Sequence, residues 1–386
     1  MGTDNHTPLR LGMVGGGKDA FIGAVHRLAC RLDDSFILTA GALSSTPEKS
    51  VASARELGLA PERSYGTWQQ MLDGELKRPR VERIDAVTIV TPNHTHAAIA
   101  RAFAEAGIPV ACDKPLTSTL ADAQTLAAAV EKSKTPFCVS YNYTGYPMVR
   151  HAAHLVRTGA IGAVRKCFVE YHQGWLATKL EDAGQKQAAW RNDPAQAGGG
   201  GAIGDIGSHA ENLLSTVTGL EIEQVAADLT SFVPGRKLDD DAAVFIRMSG
   251  TAKATLTVCQ VAIGEENNLT LRIHGDKGSL WWRQEEPNHL TVATLDGMTK
   301  VLARGSGFQS PADSASRLPP GHPEGFIEAF ANIYKGFAQT VRGFNAGKPT
   351  PGEHPGIHDG LRGVRFVDAV VRSGKNNSVW TSLDGR

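Results

Sequence analysis

The feature that most constrains the fold is a regular alternation of strand and helix signals over the first 145 residues. Short apolar runs that fit buried strands occur at residues 9–14, 36–43, 84–91, 108–112 and 137–140. Helical patterns fill the intervals between these runs. The first has Val25, Leu28 and Ala29 on one face, and the others cover residues 47–57, 96–106 and 120–132. Strands that alternate with helices at this spacing form a parallel, doubly wound sheet. We therefore predict an α/β fold for this part of the chain.

The pattern changes after residue 145. Extended segments follow one another, mostly without helices between them, at residues 163–173, 223–232, 242–248, 252–262, 269–274, 279–283 and 290–295. Such a succession is typical of an antiparallel sheet. Helices are predicted near 209–217, 325–344 and 360–373, and the loop 305–321 is the segment we expect to be most mobile. We predict an α+β domain over residues 146–386 with a large, open, mostly antiparallel sheet, whose C-terminal helices can pack back on domain 1–145.

Length and composition agree with an ordinary two-domain protein of 386 residues. Lys+Arg and Asp+Glu number 40 each, so the formal net charge is zero and gives no argument for a nucleic acid or membrane partner. The five cysteines form no CxxC pair, so we expect free thiols in a reducing compartment and no metal site. The polar start of the chain has no secretion signal, and no stretch could span a membrane, so we expect a cytoplasmic protein.

A glycine-rich turn follows the first strand. Gly15-x-Gly17-x-x-Ala20 fits the dinucleotide-binding fingerprint, in which the first glycine allows the tight turn and the second lets a pyrophosphate approach the backbone. Alternatively, Gly23 is the third small residue and the loop is longer than usual. Because the turn lies between a strand and a helix, we interpret domain 1–145 as a Rossmann domain. The predicted cofactor contacts at this turn are Gly15, Gly16, Gly17, Ala20, Phe21 and Ile22.

The acidic residue that binds the adenosine ribose at the end of the second strand is missing. Ser44 stands in its place and is followed by Ser45, with Lys49 one helical turn further on. Hydroxyls and a lysine suit the 2′-phosphate of NADP, but serines also tolerate the free hydroxyl of NAD. We predict contacts from Ser44, Ser45 and Lys49 and leave the choice between NAD and NADP open.

The ends of the third and fourth strands should border the same crevice, because ligands bind at the carboxyl ends of strands in such sheets. These loops predict cofactor contacts from Thr91, Pro92, Asn93, His96, Asp113 and Lys114. His94 and His96 fit packing or helix capping better than metal binding. Lys114 follows Asp113, and a lysine at this place can stabilise negative charge on a reacting oxygen.

A second constellation follows a glycine block at residues 198–201. Asp205 and His209 are four residues apart, so on a helix both side chains face the same way. An imidazole is the natural proton acceptor when a hydroxyl is oxidised. The glycines before it would allow close approach of a ligand to the backbone.

Taken in order, these motifs resemble the Gfo/Idh/MocA family, which includes glucose–fructose oxidoreductase and inositol dehydrogenase. The resemblance rests on Gly15-Gly16-Gly17, Thr91-Pro92-Asn93 with His96, Asp113-Lys114-Pro115, Asn142-Tyr143, Trp190-Arg191, and Gly204-Asp205-Ile206-Gly207 with His209. It implies NAD(P)-linked oxidation or reduction of a sugar or cyclitol. Lys114, Asp205 and His209 take the places of the family's catalytic residues. Asp113 replaces the usual glutamate, and Ser44 replaces the ribose acid.

The resemblance also implies one NAD or NADP per subunit and a homodimer or homotetramer formed through the C-terminal sheet. Candidates for the rest of the pocket, expected between the two domains, carry aromatic rings, amides or charges, which suit polyhydroxylated rings. They are Asn142, Tyr143, Tyr146, His172, Gln173, Trp175, Trp190 and Arg191. Among these, we predict that the cofactor contacts Asn142, Trp190 and Arg191. The substrate is predicted to contact Tyr143, Trp175 and Arg191, together with Lys114, Asp205 and His209. Gln260, Glu265 and Glu266 are interpreted as interface residues.

Three functions are compatible with these residues. The leading interpretation is a sugar or cyclitol oxidoreductase in which His209 takes the hydroxyl proton, Lys114 steadies the oxygen and Asp205 fixes the substrate or the imidazole. A second is a redox-neutral glycoside hydrolase that oxidises its substrate transiently and eliminates the aglycone. A third is a dinucleotide-binding sensor without catalysis, although a sensor has no need of a proton acceptor.

Overall fold

The structure is a computed structural model that describes residues 7–18, 20–182 and 184–383. The described chain divides into two compact units. The first contains the chain up to Thr117, Ala121–Asn142 and Phe330–Gly360; the second contains Ser118–Leu120, Tyr143–Ala329 and the chain from Leu361 onward. Asp19, inside the predicted glycine loop, and the first six residues of the polar N-terminus lie outside the described residues.

The first unit is built on a parallel sheet, as predicted. Within the described residues it has five strands in the order β2-β1-β3-β4-β5. These strands are β1 Leu9–Gly15, β2 Phe36–Ala42, β3 Ala86–Val90, β4 Val110–Cys112 and β5 Phe137–Val139. Every residue of β3, β4 and β5 is buried, because helices cover both faces of a doubly wound sheet.

The helices of this unit follow its strands. They are α1 Phe21–Arg31, α2 Pro47–Glu56, α3 Trp68–Lys77, α4 Asn93–Glu105 and α5 Leu120–Ser133. We did not predict α3 from the sequence, because it buries only Met71 and Glu75 and has no continuous apolar stripe. Its N-terminus is instead set by Thr67, whose side chain accepts a hydrogen bond from the Gln70 amide.

The second unit is built on a large, mostly antiparallel sheet, which also confirms the prediction. Its nine strands within the described residues have the order β13-β12-β11-β10-β6-β9-β8-β7-β14, and β6 and β9 form the parallel pair. The strands are β6 Val164–His172, β7 Ile222–Thr230, β8 Asp241–Met248, β9 Lys253–Cys259, β10 Asn268–Gly275, β11 Gly278–Arg283, β12 His289–Thr294, β13 Thr299–Ala303 and β14 Thr381–Ser382. We missed β13 and β14, since neither has the alternation that marks a half-buried strand.

The remaining helices are α6 Pro147–Arg157, α7 Lys186–Arg191, α8 Pro194–Ala197, α9 Ser208–Thr218, α10 Pro311–Ala315, α11 Phe326–Asn345 and α12 Ile357–Lys375. Ten of the eleven residues of α9 are buried. The apolar residues of α9 join the core on one face of the sheet, together with Val169, Val244, Leu256 and Leu271. Helix α9 is therefore held rigidly, which matters because it carries His209.

The loop 305–321, which we expected to be mobile, contains α10 and is tied to the sheet by Arg304. Arg304 is 3% exposed and donates to the Asn288 Oδ1 atom at 2.8 Å and to the Leu318 carbonyl at 2.8 Å. Its guanidinium also forms an ion pair of 2.9 Å with the buried Glu324. A single buried cation thus holds both ends of the loop.

None of the helices in the described part of the chain combines the length and apolarity needed to cross a membrane. The same residues contain no group of three or more His, Cys, Asp or Glu side chains placed to hold a metal ion.

The Arg304 contact gives a test of the fold. Replacing Arg304 with Met removes the 2.9 Å ion pair of the buried Glu324 and leaves the more distant Arg317, 3.8 Å away, as its cation. We therefore expect the free energy of unfolding to fall by about 3 kcal/mol, the lower end of the range for a broken buried pair. Urea denaturation measures this, and Lys300→Met, an exposed change on β13, is the control. A loss no larger than that of the control would show that the ion pair does not hold the loop.

Candidate active site

The turn after β1 has the backbone geometry of a nucleotide cradle. Gly15 and Gly16 have φ values of +80° and +71°, a region that favours glycine. A Cβ atom on Gly16 would lie 2.6 Å from the Val90 Cγ2 atom, and one on Gly17 would lie 2.5 Å from the Leu43 carbonyl oxygen. The turn is held from outside by Arg27, which donates to the Gly16 carbonyl at 2.5 Å.

The third glycine of the turn is Gly23. A Cβ atom there would collide with the backbone of Gly16, so the close approach of α1 to the turn depends on Gly23 and not on Ala20. Ala20 is the N-cap residue of α1. Phe21 is 72% exposed, whereas Ile22 packs against a small core that includes Val90. The longer-loop alternative therefore describes this turn.

The end of β2 has no carboxylate at the ribose position. Ser44 is half-buried and its Oγ atom accepts a hydrogen bond of 3.3 Å from the Thr46 amide. Ser45 and Lys49 are exposed.

His96 ties the ends of two strands together. It is fully buried, with its Nε2 atom 2.7 Å from the Thr91 carbonyl and its Nδ1 atom 3.1 Å from the Pro115 carbonyl. Burial lowers the pKa of this histidine. Because both ring nitrogens face backbone carbonyl oxygens, His96 links the loops that carry Thr91 and Lys114. Its predicted contact with a cofactor stays a prediction. Asn93 is buried at the first position of α4.

Asp113, directly before Lys114, is anchored by a buried polar cluster. Its Oδ1 atom lies 2.5 Å from the Ser140 hydroxyl and 3.7 Å from the Nε2 atom of the fully buried His26. The other nitrogen of His26 lies 2.6 Å from the Tyr334 hydroxyl. Burial alone would raise the pKa of Asp113, but the nearby His26 ring, the Ser140 hydroxyl and Lys114 together hold it well below its usual value. The residue before Lys114 is thus an anchored carboxylate.

These features fit a dinucleotide. The glycine cradle precedes the N-terminus of α1, where backbone N–H groups favour a pyrophosphate. Asn142 is 3% exposed, and its Nδ2 atom has no hydrogen-bond partner among the described residues. A buried amide of this kind is suited to a ligand, which agrees with the predicted role of Asn142 in holding the cofactor.

In the second unit, Asp205 lies on a widened helical turn, the π-helix Ile203–Gly207, which leads directly into α9. Such turns occur frequently at functional sites. The Asp205 Oδ2 atom accepts hydrogen bonds from the Arg191 Nε atom at 3.2 Å and the Gln260 Nε2 atom at 3.1 Å. The Arg191 guanidinium also lies over the Trp190 ring, 4.3 Å from its centre. Asp205 is therefore fixed by one cation and one amide.

A chain of amides and hydroxyls continues from Gln260. Its Nε2 atom lies 3.4 Å from the Gln173 Oε1 atom, which also accepts from the Trp175 indole at 3.0 Å. The Gln173 Nε2 atom donates to the Asn267 Oδ1 atom at 2.8 Å. Asn267 then accepts a 2.6 Å hydrogen bond from the Tyr171 hydroxyl.

Two tyrosines link this network to His209. The hydroxyls of Tyr143 and Tyr171 are 2.6 Å apart, and burial raises the pKa of both phenols, so they stay neutral. The Tyr143 ring meets the His209 imidazole edge to face, with centroids 4.7 Å apart. His209 is 7% exposed. Its imidazole is thus held beside the aromatic hydroxyls and amides of this network.

The second unit thus brings together the predicted Tyr143, Trp175, Arg191, Asp205 and His209. The candidate His172 lies on the opposite face of the sheet, where its Nε2 atom contacts the Thr257 hydroxyl at 3.1 Å. Since side chains alternate along a strand, Tyr171 and Gln173 share the inner face and His172 does not. Tyr146 stacks on Tyr143 and reaches the Gln284 amide with its hydroxyl.

Sequence analysis misjudged or missed three members of this network. Gln260 was interpreted as an interface residue, which is wrong, because it is 3% exposed and bonds to Asp205. Tyr171 could have been found from its strand periodicity with Gln173. Asn267 had no sequence signal, since it lies in the stretch between β9 and β10 and its partners are distant in the chain.

The chain matches the models of one protein family over most of its length. The family model described as the oxidoreductase family with an NAD-binding Rossmann fold matches residues 9–141. The model of the GFO/IDH/MocA C-terminal domain matches residues 149–281. The protein therefore belongs to the GFO/IDH/MocA family of NAD-linked oxidoreductases, as the resemblance implied.

Individual relatives cover nearly the whole chain. A crystal structure of an oxidoreductase from Sinorhizobium meliloti is 49% identical, with 97% of this chain and 99% of that one covered and a TM-score of 0.88. An inositol dehydrogenase homolog from Azotobacter vinelandii, complexed with NADH and myo-inositol, is 33% identical over 97% and 98% of the two chains, with a TM-score of 0.89. A levoglucosan dehydrogenase from Pseudarthrobacter phenanthrenivorans is 30% identical over 97% and 98%.

The glycine turn can be tested by a matched pair of substitutions. Gly16→Ala places a methyl group against Val90, so we expect the Kd for NAD⁺ to rise by at least about tenfold. Gly58 has nearly the same φ, +72°, but open space around it, so Gly58→Ala carries the backbone strain without the collision. Isothermal titration calorimetry measures both. Equal Kd values for the two variants would contradict a role of Gly16 in the cradle.

Proposed function

We propose that the protein is an NAD-dependent dehydrogenase that oxidises a hydroxyl-bearing carbon of a sugar or cyclitol. The observation that carries this proposal is the joint fixation of Asp205 and His209 in the second unit. A half-buried carboxylate and a buried imidazole are set four residues apart on rigid helical turns. Such a pair suits proton transfer with a neutral hydroxyl.

In the proposed mechanism, His209 accepts the proton of the substrate hydroxyl during oxidation and returns it during reduction. Lys114 donates a hydrogen bond to the same oxygen and stabilises its developing negative charge. Asp205, held by Arg191 and Gln260, accepts a substrate hydroxyl or orients His209. The bound dinucleotide supplies the hydride acceptor. Trp190 and Arg191 are also proposed to contact it.

The substrate class is supported by the network beside His209. Neutral hydroxyls and amides of Tyr143, Tyr171, Gln173 and Asn267 can exchange hydrogen bonds with a ring that carries several hydroxyls. The guanidinium of Arg191 already pairs with Asp205. An uncharged polyol is therefore favoured over a sugar acid or phosphate. Relatives complexed with myo-inositol and with levoglucosan support the same class.

For the cofactor we propose NAD, one per subunit. The support is that relatives were solved with NAD⁺ or NADH. The exposed Lys49 offers a place for a 2′-phosphate, so NADP is the competitor to be measured beside it. A cytoplasmic location stays a prediction.

We further propose a homodimer or homotetramer formed through the outer face of the C-terminal sheet. Register pairs place five residues in one row on that face: Phe245, Thr255, Phe168, Arg272 and Trp281. Phe245 and Trp281 are 60% and 52% exposed. Exposed aromatic residues aligned across one face of a sheet are typical of a protein–protein interface.

The interface can be tested by placing a charge in this row. Because a carboxylate is costly to bury, we expect Phe245→Glu to shift the protein to a smaller assembly in size-exclusion chromatography with light scattering. Leu295→Glu, at an 81% exposed residue outside the row, should keep the wild-type mass. If both variants keep that mass, the assembly uses another surface.

The catalytic assignment predicts large effects from two single substitutions. We expect Lys114→Met and His209→Asn each to lower turnover by at least about a hundredfold, because each removes a group that acts on the reacting oxygen. Nicotinamide absorbance measures the rate with a panel of polyols that includes myo-inositol and levoglucosan. The exposed Lys132→Met and His289→Asn are the controls. A rate close to that of the controls would remove the residue from the mechanism.

The stoichiometry of the wild-type protein separates the competing functions. A dehydrogenase forms one NADH for each polyol oxidised. The redox-neutral hydrolase would release the aglycone of a glycoside without net NADH, and the sensor would bind NAD⁺ and turn over nothing.

A further inference from the structure

Asp239 holds the start of the segment that carries Asp205 and His209. Its Oδ1 atom accepts a 2.6 Å hydrogen bond from the Gly201 amide, and its Oδ2 atom accepts one of 2.8 Å from the Ile203 amide. The Ala202 amide donates to the Asp239 carbonyl at 2.8 Å. Three consecutive amides are thus bound by one residue that lies far away in sequence. The side chain serves the segment much as an N-cap serves a helix.

The position of these amides is transmitted directly to Asp205. The Asp205 amide donates to the Gly201 carbonyl at 2.9 Å, so a residue that Asp239 holds is itself the hydrogen-bond partner of the Asp205 backbone. Gly201 also permits the approach, since a Cβ atom there would collide with the Asp239 carbonyl oxygen. Moving the amides of 201–203 would therefore move the turn on which Asp205 lies.

Asp240, the residue after Asp239, supports the Asp205 carboxylate through Gln260. The backbone N–H of Gln260 donates to the Asp240 carbonyl at 2.8 Å, and the side-chain amide of Gln260 donates to the Asp205 carboxylate. Asp240 itself accepts from the Phe232 and Val233 amides and from Arg236 at 3.0 Å. The loop that ends at Asp239 is therefore rigid, and it fixes both the backbone and the side-chain partner of Asp205.

We propose that Asp239 is a positioning residue for the reaction assigned to Asp205 and His209, acting through the backbone amides of residues 201–203. This inference rests on the proposed function. The role explains why a carboxylate is kept in a place where it is costly. Asp239 is 8% exposed, and burial raises its pKa to about 6, although the amides of Ile203 and Gly201 oppose that rise.

The first test is structural. In Asp239→Asn, one carboxylate oxygen becomes an NH₂ group that faces a backbone N–H. We expect the amides of the 198–209 segment to exchange with deuterium at least about tenfold faster than in the wild type, as followed by mass spectrometry. Asp239→Ser keeps one acceptor oxygen, and its amides in the same segment should also exchange faster than in the wild type. This variant replaces Asp239→Asn in the test if the asparagine variant folds poorly. Unchanged exchange in both variants would overturn the inference.

The second test is kinetic. We expect Asp239→Asn to lower kcat by about ten- to a hundredfold, the range for a lost charge-assisted hydrogen bond. The KM of the polyol and the Kd of NAD⁺ should stay within about threefold of wild type, since the side chain acts on positioning and not on binding.

Asp313→Asn is the matched control for both tests. Asp313 accepts from two amides at a helix start, those of Phe308 and Ser310 at 3.2 and 3.3 Å. Its variant should lose stability but keep kcat. If the wild type is active and the kcat of Asp239→Asn equals that of Asp313→Asn, the inference is overturned. If the wild type oxidises no polyol of the panel, the proposed function fails, and the exchange experiment still decides whether Asp239 holds the segment.

Discussion

The carboxylate of Asp205 accepts hydrogen bonds from Arg191 and Gln260, and the geometry of the candidate site in the second unit depends on this contact. A half-buried carboxylate requires compensation by cations or donors. Here the donors come from a helix that precedes Asp205 and from the residue after strand β9. Meeting this requirement joins Asp205 to a helix 14 residues before it and to a strand end 55 residues after it, and leaves the acid in one defined position.

The same solution recurs in the first unit. Asp113 stands next to Lys114, and its carboxylate is anchored by Ser140 with His26 nearby. His26 in turn contacts Tyr334, on a helix near the end of the chain. Each proposed catalytic element thus has a buried or half-buried carboxylate behind it: Asp113 beside Lys114, and Asp239 below the turn of Asp205. Buried polar anchors of this kind lower the stability of the fold, because they must be desolvated, but they hold the neighbouring residues in one geometry, which catalysis needs.

Much of the fold could be predicted, because its strands are buried runs and its helices are amphipathic. The parallel and antiparallel sheets both followed from the spacing of these runs. Several misses have a common cause. Helix α3 and strands β13 and β14 bury little, so they carry weak periodicity. Helix α6 was missed as well, although five of its residues are buried.

The residues of the candidate site could be named from the sequence only where they stand close together in the chain. Lys114, Asp205 and His209 lie in short motifs, and the small residues around them mark close backbone approaches. Gln260 and Asn267 act through partners about 55 and 96 residues away, so their hydrogen bonds have no local signature. His172 was misplaced because the periodicity of two along β6 was not applied to it. Side-chain networks of this kind become visible only with the fold.

The central claim is that a hydride passes between a polyol carbon and NAD. The most direct measurement uses myo-inositol and levoglucosan carrying deuterium on their ring carbons, with mass spectrometry of the dinucleotide after incubation with the enzyme and NAD⁺. The account predicts NADH that carries one deuterium for each polyol oxidised. NADH without deuterium, or consumption of the sugar with no NADH formed, would contradict it.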